Sequence, residues 1–340
     1  MQSTKIEWLD SLRVFATFAV ILVHVSHPLT EQIHHPYWWV ANLYDSAARF
    51  CVPIFLMLSG ALLLKKQEDL KSFFSKRMTR ILIPFLFWNT VYIIVNQYFI
   101  FKNTGTFSPI HSFIKAYLKG ASFHFWYVYM ILGLYLFIPI LSAWVSKTNQ
   151  QLYLYFIGLW IVTLTVSCMP PLYQSYFIEM PYFSGFVGYL SLGYWLSIQK
   201  TKRNFAFIVG ISLFILGVVL TFFATEWISL KTQSFDHQFY NYCTLNVGLT
   251  STGIFLMVKN LPPFSVKIWV LTRDSIAKYS YGIYLIHILV LDRIVSLTSI
   301  DYTYINPIIG IPLTAFVCFV ISYVLINIVN RFPYGRHFSG

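Results

Sequence analysis

Arg13 and His24 stand inside a run otherwise fit for a lipid bilayer, DSLRVFATFAVILVHVSH at residues 10–27. On an α-helix eleven steps come to about three turns plus 20°, with a rise of about 16 Å, so the two side chains share one face at different depths. Ionisable groups within a span are costly and face a bundle interior, a partner or an aqueous cavity. Arginine offers a permanent charge and a planar fork suited to phosphate, whereas histidine takes and returns a proton near neutral pH. The pair fits a phosphorylated donor at Arg13 and a reaction centre at His24. The competing reading is an arginine snorkelling to the interface and a histidine hydrogen-bonded within the bundle.

Further along, SKRMTRILIPFLFW carries Arg77 and Arg80, three residues apart and therefore on adjacent turns of one helix face. They are able to pinch a polyanion together, or simply to anchor the helix on the positively charged side of a membrane. In FHFWYVYM, His124 and Trp126 begin an aromatic stretch with Tyr127 and Tyr129. That stretch reads either as an interfacial belt or as a platform for a sugar, whose ring packs on aromatic faces while its hydroxyls hydrogen-bond to His or Tyr. In SYGIYLIH, Tyr284 and His287 share a face about half-way through a late span. Asp45 and Arg49, four apart, most simply pair with each other, and Pro53, Ser59 and Gly60 allow kinking and close helix approach.

The elements that must position these residues are membrane helices. The 340-residue chain is 57% hydrophobic and 11% charged, against about 45–50% and 25% in an average soluble domain. This is the composition of an all-α polytopic membrane protein, read as one transmembrane domain over residues 1–340. About ten transmembrane helices are expected, at 11–29, 46–64, 81–101, 122–146, 152–168, 182–198, 205–226, 239–258, 279–299 and 305–329. With both termini cytoplasmic, 18 of the 24 Lys and Arg residues fall on the inner side. The loop at 102–119 opposes this with three lysines outside, as a surface-lying segment would. The net charge of +12 is therefore an orientation signal, not a nucleic-acid footprint. Cys51, Cys168, Cys243 and Cys318 are far apart, so neither a metal site nor a disulfide framework is indicated. The first apolar run lacks a cleavage site and reads as a retained span.

Taken together, LDSLRVFATFAVILVH with its arginine, ten residues, histidine signature, RFCVPIFLMLSG, the R-x-x-R of RMTR, HFWYVYM and SYGIYLIH resemble the acyltransferase-3 family of integral membrane O-acyltransferases. The resemblance covers essentially the whole chain and is strongest to the short subgroup acting on bacterial surface glycans, similar to the enterobacterial common antigen O-acetyltransferase. No stretch resembles the SGNH hydrolase-like domain of longer relatives. The resemblance implies transfer of acetyl from cytoplasmic acetyl-CoA, as co-substrate and without a metal, to a hydroxyl of a surface polysaccharide or lipid-linked glycan. The implied location is the bacterial inner membrane, with membrane lipids and a second copy of the chain as further partners. Arg13, Arg77 and Arg80 would dock the CoA phosphates, His24 with Arg13 would carry the chemistry, and His124, Trp126, Tyr284 and His287 would meet the acceptor. A transporter or flippase of a lipid-linked glycan is the principal alternative, since a polar track through many spans also describes a permeation path. A sensor or scaffold held by anionic lipids is a third reading.

Overall fold

A computed structural model describes residues 7–66, 68–169, 185–262, 266–298 and 305–340. Among them the regular structure is helical: α1 (Glu7–Thr30), α2 (Trp38–Ala48), α3 (Cys51–Leu63), α4 (Leu70–Thr104), α5 (Ile110–Lys119), α6 (Trp126–Lys147), α7 (Gln150–Val166), α8 (Val187–Ile198), α9 (Arg203–Thr232), α10 (Leu245–Lys259), α11 (Lys267–Thr298) and α12 (Pro307–Arg331). Two short 3-10 turns, at Phe123–Phe125 and Gln238–Tyr240, lie between helices, and a third, at Gly335–His337, follows the last one.

Six helical stretches are long and apolar enough to cross a membrane: Glu7–Thr30, Trp38–Leu63, Leu70–Thr104, Phe123–Lys147, Arg203–Thr232 and Pro307–Arg331. The protein is accordingly a multi-pass membrane protein. These six correspond to the first, second, third, fourth, seventh and tenth expected spans. The other four expected spans fall on shorter or charged helices: α7, α8, α10 and the interior of α11. Residues 182–184 of the expected sixth span and residue 299 of the ninth lie outside the described residues.

Three expected boundaries are corrected, each for a local reason. The second span begins at Trp38 rather than residue 46 and is broken between α2 and α3, where Pro53 in the first turn of α3 lacks the N–H that would bond back to Arg49. The third span starts at Leu70, eleven residues before expected, because the Asp69 carboxylate caps it by accepting from the Ser72 N–H at 3.1 Å. The eighth becomes α-helical only at Leu245, since the Asn241 side chain captures the Cys243 N–H at 2.9 Å and closes a turn instead. Trp38 and Trp39 open α2. Trp38 is buried and its indole N–H donates to the Thr30 carbonyl at 2.7 Å, which pins the turn between α1 and α2.

α1 is the most buried of the six long stretches and α9 the least. α1 packs on α2, α3, α11 and α12, which makes it the central post of the bundle, while Ile215, Phe223 and Trp227 of α9 are exposed, as a lipid-facing helix requires. α3 and α8 meet backbone to backbone: a Cβ on Gly60 would lie 1.8 Å from the Leu190 carbonyl oxygen, and one on Gly193 would lie 2.1 Å from that of Met57. The small residues expected to allow close approach do so here.

Candidate active site

α1, α3, α4, α6 and α11 enclose a cavity of about 700 Å³. Its mouth is rich in cations, with Arg13, Lys66, Lys76, Arg77, Arg80 and Lys278, tempered by Asp10 and Asp274. Its depth is aromatic, with Tyr127, Tyr135, Tyr281 and Tyr284. All three arginines expected to grip an anion line this one cavity, although they come from two helices far apart in sequence.

They arrive in different states. The Arg13 guanidinium donates to Asp10 at 2.8 Å. Arg77 is bidentate on Glu68, at 2.5 and 3.2 Å, with its guanidinium 4.4 Å from the Phe73 ring centre. The hydrogen bonds from Arg77 hold the Glu68 carboxyl below the usual carboxylate range. Arg80 has no carboxylate partner among the described residues. An incoming anion would have to displace or share partners at Arg13 and Arg77, and meets a free fork at Arg80.

Deeper along α1, three imidazoles gather. His24 lies 5.1 Å from His287 and 6.5 Å from His124, ring centre to ring centre, and His124 lies 5.0 Å from His287. His287 is fully buried, and its Nδ1 sits 2.5 Å from the Tyr284 carbonyl oxygen. A carbonyl only accepts, so Nδ1 carries the hydrogen and a neutral ring presents its lone pair at Nε2. That Nε2 has no hydrogen-bond partner among the described residues. His124 is held the other way round: Nε2 faces the Leu285 carbonyl at 3.4 Å and Nδ1 faces the Ser122 hydroxyl at 2.8 Å. His24 has no hydrogen bond to any described residue and is flanked on the far side by Phe123, at 5.2 Å and largely exposed.

Tyr284 joins the two regions. Its ring lines the cavity, stands 5.8 Å from His287 and 5.4 Å from His124, and its hydroxyl donates to the His124 carbonyl. The open cavity ends at Tyr127 and Tyr284, and His24 lies one ring layer beyond, off the cavity wall. His124 and Trp126, adjacent in sequence, separate in space: His124 is buried in the imidazole cluster, while Trp126 is 40% exposed and stacks on Tyr242 at 5.8 Å.

Lys66, Lys76, Lys278 and Tyr281 join the site without having been singled out from sequence. For α11 a signal existed, because Lys278, Tyr281, Tyr284 and His287 recur every three residues, a row that turns about 60° around the helix at each step. Asp45 and Arg49 do pair, with the guanidinium also 4.3 Å from the Tyr240 ring centre. All four cysteines are free, and among the described residues no group of three or more His, Cys, Asp and Glu side chains is arranged to hold a metal ion.

Comparison with known proteins adds a family. The acyltransferase domain model matches residues 6–327. A protein of Acidianus two-tailed virus, named "putative acetyltransferase", is 24% identical over 304 residues, covering 85% of this chain and 84% of that one. No solved structure matches the chain.

Proposed function

Because the chain belongs to the acyltransferase-3 family, we propose that it moves an acetyl group from acetyl-CoA to a hydroxyl of a surface glycan or lipid-linked sugar. The observation that carries this reading is Tyr284, which lines the cavity holding Arg13, Arg77 and Arg80 and touches two of the three histidines. An anionic carrier with a long thin arm suits such a site: its phosphates bind at the cationic mouth, and its thioester reaches past the tyrosines, about 16 Å along α1, to His24.

In this reading the acceptor hydroxyl approaches from the Phe123 side. His24 takes its proton as the oxygen attacks the thioester carbonyl carbon. The carbon–sulfur bond then breaks, and the proton passes from the imidazolium to the departing thiolate, releasing CoA and the O-acetyl sugar. His287, with its lone pair at Nε2, is the neighbour able to share that proton. The alternative order has His24 attacking first and carrying the acetyl group as an acyl-imidazole before the sugar accepts it. Four shorter helical segments would complete ten crossings, with both chain ends and the basic mouth on the cytoplasmic side of a bacterial inner membrane. Trp126, exposed beside Tyr242, would meet the acceptor; anionic lipids and a second copy of the chain are the remaining partners of this reading.

The test is transfer of label from radioactive acetyl-CoA to a lipid-linked glycan by the purified protein in vesicles, with surface-glycan acetyl content compared by mass spectrometry with and without the gene. Labelled glycan supports the assignment. Movement of intact glycan across the vesicle without acetylation would make the protein a flippase. Label stable on the protein when acceptor is withheld selects the acyl-imidazole route.

A further inference from the structure

Beside the large cavity lies a second one of about 380 Å³, between Lys76, Thr79 and Arg80 of α4 and Arg336 and His337 of the C-terminal segment. Lys76, Arg80 and Gly340 line both cavities, so the two are neighbours sharing a wall. The segment that supplies Arg336 is held in place. Tyr334 turns the chain through a left-handed conformation at φ 64°, Phe338 stacks on Phe87 at 4.3 Å, the Trp88 indole donates to the Phe338 carbonyl at 2.9 Å, and the Ser339 hydroxyl donates to Asn330 at 3.1 Å. At Gly335 a Cβ would lie 1.8 Å from the Val329 carbonyl oxygen, so the backbone passes where only glycine fits.

The charges of the two cavities differ. Asp10 and Asp274 offset the cations of the large one, whereas no carboxylate side chain lines the small one, and Arg336 makes no ion pair among the described residues. Three cationic side chains converging with no acidic side chain among them suit a dianionic phosphate. A phosphomonoester, at about −1.5 to −2 near pH 7, is such a group.

We propose that the small cavity is a phosphomonoester subsite that receives the ribose 3′-phosphate of the CoA donor, with Arg336 as its specificity-determining residue and Lys76 and Arg80 shared with the pyrophosphate. This rests on the donor reading above, and extends the anion site from the α1 and α4 arginines to the C-terminal segment.

The experiment measures dissociation constants of acetyl-CoA and 3′-dephospho-acetyl-CoA for the wild-type protein and for Arg336→Gln, in neutral phosphatidylcholine nanodiscs. The wild type is expected to prefer acetyl-CoA by about tenfold, the size of one good charge-assisted contact. Arg336→Gln is expected to lose that preference by weakening acetyl-CoA alone. Equal affinity of the wild type for the two donors, a comparison that needs no variant, overturns the subsite while leaving the donor reading intact. Binding of neither donor overturns both. Repeating the measurement with phosphatidylglycerol in the nanodiscs separates the sources of phosphate: if that lipid stabilises the wild type but not Arg336→Gln, and no preference between donors is seen, the cavity holds a lipid headgroup and the proposal fails.

Discussion

The cationic mouth and the imidazole cluster lie along the same helix, yet they are built on opposite principles. At the mouth Arg13 and Arg77 are neutralised in place by Asp10 and Glu68, within reach of water, and the excess charge falls to Lys66, Lys76, Arg80 and Lys278. In the cluster no carboxylate makes an ion pair with any of the three imidazoles among the described residues. His287 is fully buried, its geometry is fixed by a backbone carbonyl, and one nitrogen is left with no described partner. An unsatisfied buried nitrogen costs on the order of 1–3 kcal/mol. A fold that keeps such an atom among two other imidazoles and Tyr284 has assembled a place for a proton to go, whereas the mouth has assembled a place for charge to bind.

The contrast is broken most severely from the cluster side. His24→Ala is expected to lower transfer by about 10²–10⁴-fold, the range of general acid–base catalysis, while leaving donor affinity near wild type. A variant that transfers normally would remove the imidazole from the chemistry. His287→Leu, isolating the proton-sharing role, is expected to lower kcat by about tenfold or more with little change in the KM for acetyl-CoA. An equal loss in both parameters would instead point to collapse of the site. At the mouth the pattern should invert: Arg80→Gln raises the KM for donor by about tenfold and spares kcat, as loss of one charged phosphate contact should.

A substitution away from both regions asks whether they depend on the same scaffold. Gly60→Leu would push α8 off α3 and is expected to cost about 1–3 kcal/mol, visible as a lower melting temperature of the purified protein. An unchanged melting temperature would mean that the α3–α8 approach is looser than described.

The smallest effect concerns pH. Arg77 holds the Glu68 carboxyl below the usual range, so the stability their pairing supplies is present above the ordinary carboxyl range and is lost as pH falls through the lowered one. Glu68→Gln frees Arg77 at all pH values and is expected to tighten donor binding by about twofold to threefold at pH 7, as suits a partly exposed ion pair. Wild type and variant should converge on acidification. Constant separation down to low pH would show that the pair does not compete with the donor.

How much of this was legible beforehand follows from the range of each interaction. The eleven-residue interval between Arg13 and His24 is decided within one helix, so shared face and differing depth are readable directly. The six long spans are readable because length and apolarity are local properties. The partnership of Arg77 with Glu68 is not, because it depends on how the turn before α4 folds back over nine residues. Nor is the meeting of His124 with His287, which joins residues more than 160 apart. The helix that begins at Leu245 lost its expected first turn to one asparagine side chain, a competition that hydropathy does not register.

Affinity labelling with bromoacetyl-CoA, in which an imidazole nitrogen displaces bromide at the position of the thioester, tests most directly whether mouth and cluster are two ends of one donor slot. Peptide mass spectrometry is predicted to find the label on His24, protected by excess CoA and greatly diminished in Arg80→Gln. Label confined to surface lysines or cysteines, unaffected by CoA, would contradict it.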